Sequence, residues 1–91
     1  MQRKLEYINE GRSGYVIYSD ETTKFRLYYE FGGGECAAII NITPAEDWIK
    51  VTGCPLTSRN DILAFIAGQA VMDQTSKGHF KISDKFIEIY E

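Results

Sequence analysis

The strictest constraint on this chain is an alternation of period two that crosses a glycine triplet and then stops. In Thr22 to Phe31, "TTKFRLYYEF", Phe25, Leu27, Tyr29 and Phe31 fall on one side, and Lys24, Arg26, Tyr28 and Glu30 on the other. After Gly32-Gly33-Gly34, the segment "ECAAIINI" continues the apolar phase with Cys36, Ala38, Ile40 and Ile42. Successive side chains of a strand point to opposite faces, so this pattern describes two strands of an antiparallel sheet with one face buried. The glycines read as the connection between them. A phosphate loop needs a following Lys and a helix, and a dinucleotide fingerprint needs a third glycine at position 37, which is Ala. Glycine serves a hairpin because it tolerates positive φ.

Two further strands precede this pair. "KLEYI" (Lys4 to Ile8) is a short one, and "GYVIYS" (Gly14 to Ser19) is rich in aromatic and β-branched residues, with Asp20-Glu21 as the next turn. The first half is therefore predicted to be a four-strand meander. The period changes at Thr43. "TPAE" has the form of a capping box, with Thr43 as N-cap, Pro44 at N1 and Glu46 at N3, and predicts a short helix from Pro44 to Val51 that ends at Gly53. Trp48, Ile49 and Val51 are the residues expected to dock it. "SRND" offers a second box, with Ser58 as N-cap and Asp61 at N3, before a helix from Arg59 to Gln74. Ile62, Leu63, Phe65, Ile66, Ala67, Ala70 and Val71 give that helix a broad apolar face. "HFKIS" and "FIEIY" then alternate around Asp84-Lys85 as a terminal hairpin, with Phe80, Ile82, Ile87 and Ile89 inward. The predicted architecture is α+β: an antiparallel meander, one short and one long helix on one sheet face, and a C-terminal β-hairpin, all in one domain spanning residues 1–91.

Composition narrows the function classes. The formal charge is −3 and the pI about 5.1, which disfavours a sequence-independent grip on nucleic acid or anionic membrane. "MQRKLEYINE" carries no apolar signal segment, and Ile62 to Met72 is too short to span a bilayer, so the expected setting is cytoplasmic, without a membrane, with Cys36 and Cys54 reduced. One histidine and two cysteines eighteen positions apart do not supply the four ligands of a structural zinc site. No metal or other cofactor is expected.

Three groups of residues carry candidate chemistry. His79 follows the long helix, near Asp73, and could act as a base oriented by that carboxylate. Cys54, between Gly53 and Pro55, reads as the exposed and more reactive thiol, whereas Cys36 reads as a small core hydrophobe. No nucleophile is tied to Asp73 and His79 by a recognised spacing, so a non-enzymatic role is favoured. On the sheet face away from the helices, Lys24, Arg26 and Tyr28 share one side of a strand, and Val16 and Tyr18 are expected beside them on its neighbour. Tyr and Arg are enriched in protein interfaces. The leading expectation is thus a small cytoplasmic protein-interaction or regulatory module, with a protein partner or a second copy of itself as a homodimer, binding through Tyr18, Lys24, Arg26 and Tyr28. The alternatives are a small-ligand or catalytic site using Asp73, His79 and Cys54, and single-stranded nucleic-acid binding on the open sheet face.

Overall fold

A computed structural model describes residues 2–34 and 36–91. Six strands form a single antiparallel sheet: β1 (Lys4–Glu10), β2 (Ser13–Ser19), β3 (Lys24–Phe31), β4 (Cys36–Asn41), β5 (His79–Ile82) and β6 (Phe86–Tyr90). Two helices, α1 (Trp48–Thr52) and α2 (Arg59–Gln74), connect β4 to β5. The order across the sheet is β1-β2-β3-β4-β6-β5. The N-terminal meander is as predicted. The terminal hairpin enters with its second strand first: β6 docks on β4, and β5 becomes an edge.

The alternation of β3 holds from Lys24 to Tyr29, whereas Phe31 at the strand end is 41% exposed. Phe25, Leu27 and Tyr29 are buried beneath the helices, and Lys24, Arg26 and Tyr28 face away. At the β3–β4 turn, Gly34 has φ of 62°, and a Cβ on Gly32 would run into the Cys36 carbonyl oxygen, so the triplet is a turn device. The β2–β3 turn is held by one side chain. Asp20 Oδ1 accepts from the Thr22 and Thr23 amides (2.8 and 3.0 Å) and from the Thr22 hydroxyl (2.9 Å).

Two local expectations are corrected. Neither capping box forms. A 3₁₀ turn at Ala45–Asp47 precedes α1, the Thr43 carbonyl instead accepts from Arg59 Nε and Nη2 (3.1 and 3.0 Å), and Asp61 pairs with Arg3. At the second box the Asp61 carboxylate is engaged by Arg3 instead of the cap; at the first, Arg59 ties the Thr43 backbone and no side-chain cap bond is made. In α1, Trp48 and Thr52 are buried while Ile49 and Val51 are 62% and 54% exposed. A helix of five residues presents one narrow face, and positions i and i+4 take it. Gly53 ends α1 in the left-handed region, φ 74°, as expected.

The core lies between the sheet and α2. Trp48 packs edge-on against Phe25 at 5.6 Å and donates from Nε1 to the Pro55 carbonyl at 3.0 Å. Ile62, Leu63, Ile66, Ala67 and Ala70 of α2 cover Ile87, Ile89, Ile40 and Leu27. Phe80 and Ile82 are in register with Ile89 and Ile87 and share their face, but they lie on the edge strand β5 and remain about two-fifths exposed.

Candidate interaction surface

Both helices pack on one side of the sheet, so its other side is open. Its composition follows from strand register, because cross-strand partners share a face. Ile8 pairs with Tyr15, Tyr15 with Tyr28, and Asn41 with Phe86. The Asn41 side-chain amide reaches the Tyr28 carbonyl at 3.4 Å and links the two halves of the row. A mostly apolar stripe therefore crosses five strands: Ile8, Tyr15, Tyr28, Asn41, Phe86. Ile8, Tyr28 and Phe86 are 44%, 41% and 40% exposed.

Charged residues flank the stripe. On one side lies the row Glu6, Ile17, Arg26; on the other lies the row Glu30, Ile39, Glu88, Lys81. The Arg26 guanidinium sits 4.4 Å over the Tyr15 ring, and Tyr15 meets Tyr28 edge-on at 6.0 Å. Cation–π stacking holds Arg26 flat and spends little of its hydrogen-bonding capacity. Among the described residues, Arg26 makes no ion pair. Ile39, Phe86 and Glu88 border a shallow hollow of about 230 Å³ at the end of the stripe.

Three of the four expected surface residues, Lys24, Arg26 and Tyr28, are on this face. Tyr18 is not. It is fully buried on the helix side, against Phe25 (5.3 Å) and Phe65 (5.9 Å), and its hydroxyl donates to Asp20 Oδ2 at 2.6 Å. That bond, first, and those from Thr22 and Thr23 hold the Asp20 carboxyl down at about 2, while burial and the neighbouring carboxylate push the Tyr18 hydroxyl up. Tyr15 and Ile17 occupy the places expected for Tyr18 and Val16. Strand β2 is apolar on both faces, so its own pattern does not choose a phase. The turn does: Ser19 pairs with Lys24, which sets Tyr18 opposite inward Phe25 and Tyr15 opposite outward Tyr28.

The residues of the expected catalytic alternative are held apart. Asp73 lies on the helix side, accepting from the Tyr7 hydroxyl (2.7 Å) and Gln69 Nε2 (3.0 Å). His79 lies on the open side, stacked on Tyr90 at 5.2 Å with an interplanar angle of 16°. The sheet is between them. Cys54 is buried rather than exposed, and its thiol points at the Thr52 carbonyl. Among the described residues, no three His, Cys, Asp or Glu side chains gather as a ligand set, and no helix is long and apolar enough to cross a membrane.

No protein-family model, curated protein or solved structure matches the chain.

Proposed function

We propose that this domain is a protein-interaction module that binds its partner on the open sheet face. The observation that carries this reading is the partly exposed row Ile8–Tyr15–Tyr28–Asn41–Phe86 beside an Arg26 that stacks on Tyr15 and, among the described residues, makes no ion pair. Scattered exposed apolar residues are ordinary, but a contiguous row rimmed by charge is the pattern of a binding surface. Its chemistry specifies the partner. A complementary protein segment presents a carboxylate to Arg26 and an apolar side chain to the hollow between Ile39 and Phe86. Glu6, Glu30 and Glu88 interrupt the positive field that a nucleic-acid backbone requires, which favours a protein over an oligonucleotide.

The test is affinity capture with the wild-type chain and with an Arg26→Ala/Tyr28→Ala double variant whose circular dichroism and melting curve match wild type. Proteins retained by the wild type and lost by the double variant are expected, and a captured protein should bind directly when purified. Identical capture by both chains would refute the open-face reading. Salt-steep binding of a single-stranded oligonucleotide, lost in the same variant, would replace it with nucleic-acid recognition.

A further inference from the structure

We propose that β1 pairs antiparallel with β1 of a second copy of this chain, joining two sheets into one of twelve strands about a two-fold axis at Tyr7. This surface is the sheet edge, not the open face, and the inference stands or falls separately from the partner site proposed above.

An edge strand offers a row of unpaired N–H and C=O groups, and proteins usually blunt such edges with short strands, prolines, bulges or central lysines. The two edges of this sheet differ in that respect. Strand β5 has four residues with Lys81 near its middle. A two-fold about Lys81 would oppose that lysine to itself, and one about Phe80 would oppose it to His79. Strand β1 has seven residues, no proline, and an unbroken seven-pair register with β2. Its three charged residues, Lys4, Glu6 and Glu10, meet no like charge in one of its self-registers.

The order of its side chains selects one self-register. Residues opposed in a continuous antiparallel sheet must lie on the same face, which limits the two-fold to a residue position. Centred on Tyr7, the strand "KLEYINE" opposes Lys4 to Glu10 of the second copy at both ends, Leu5 to Asn9, Glu6 to Ile8, and Tyr7 to itself. All seven residues are paired, and no like charges meet. Centred on Glu6, the same strand opposes Glu6 to itself. Centred on Ile8, it opposes Glu6 to Glu10 twice. Centred on Leu5, it uses only part of the strand and sets Tyr7 against Arg3, whose guanidinium already pairs with Asp61. Opposed charges on facing strands attract and like charges repel. Lys4 and Glu10 are both exposed; Lys4 lies 3.6 Å from Glu6 of its own strand, so in the end pair its ammonium swings from that exposed carboxylate to Glu10 of the second copy.

Sedimentation equilibrium between about 10 µM and about 1 mM covers the range where a contact of this small area dissociates. The wild-type chain is expected to dimerise. Lys4→Glu and Glu10→Lys should each weaken the dimer about tenfold, because each turns two attractive end pairs into repulsive ones. The double swap Lys4→Glu/Glu10→Lys should return the affinity to within about threefold of wild type, since the pairs re-form with reversed polarity. Both positions are exposed, and a melting curve confirms that each variant folds. A wild type that is monomeric throughout overturns the proposal, as does a dimer indifferent to both single swaps or a double swap no tighter than the singles. A dimer dispersed by Arg26→Ala/Tyr28→Ala but not by the swaps would place self-association on the open face and overturn the edge model alone.

Discussion

The two faces of this sheet carry the same kind of residue and use it differently. On the covered face, Tyr7 and Tyr18 are packed among apolar neighbours, and their hydroxyls end on Asp73 and Asp20. There the ring supplies buried area, and in these two residues an acceptor offsets the cost of burying the hydroxyl. On the open face, Tyr15 and Tyr28 lie edge-on against each other, Arg26 covers Tyr15, and Tyr28 remains 41% exposed. Identical chemistry is thus buried on one side and left accessible on the other, and the difference is set by a helical layer that covers only one of them.

Substitutions can sharpen this contrast. The largest effect is expected at Trp48, which is fully buried and bonded to Pro55: Trp48→Ala should lower unfolding free energy by about 3–5 kcal/mol in chemical denaturation. Tyr18 and Tyr29 come next, as a pair. Both are buried on the covered face, but among the described residues the Tyr29 hydroxyl has no partner. Tyr18→Phe should cost about 1 kcal/mol, whereas Tyr29→Phe should be neutral or slightly stabilising. Equal costs would show that the Tyr18–Asp20 bond is not what distinguishes them.

A pH series tests the same bond from its other end. The Asp20 carboxyl is held near 2, below its ordinary 3.8, so the charged form contributes stability above about pH 4 that is lost as pH falls toward 2. Denaturant midpoints of wild type and Asp20→Asn should therefore differ at pH 6 and converge at pH 2. A constant gap would assign the effect to packing alone. The smallest stability change is expected on the open face, where Tyr28→Ala should stay within about 1 kcal/mol of wild type while removing capture of a partner. A loss as large as that of Trp48→Ala would mean that the open face is part of the scaffold.

Strand β3 and helix α2 were legible because each buries one face, and a single buried face writes its period into the residues. The hairpin glycines and the Gly53 cap were legible for a local reason: the backbone conformations they occupy exclude most other residues. Other features escaped for identifiable causes. Strand β2 is apolar on both sides, so the phase of Tyr15 against Tyr18 waited on the geometry of the Asp20 turn. The capping boxes at Thr43 and Ser58 matched in spelling, but the first helical turn starts as a 3₁₀ turn at Ala45 with Pro44 in the cap position, and Arg3 engages Asp61 from a distance. Cys54 follows a turn glycine, which suggests exposure, yet the Thr52–Trp48 contact folds it inward.

The sequence by itself determined the elements, their order, and one clearly two-sided strand. Those depend on neighbours two to four residues apart, and the chain states them directly. Only the tertiary structure decided that β6 rather than β5 meets β4, that Tyr15 rather than Tyr18 joins Arg26 and Tyr28, and that Asp73 and His79 face opposite sides of the sheet. The first and last are relations between segments distant in the chain, and the second follows from the register that the Asp20 turn imposes; none is written in the residue pattern of a single strand.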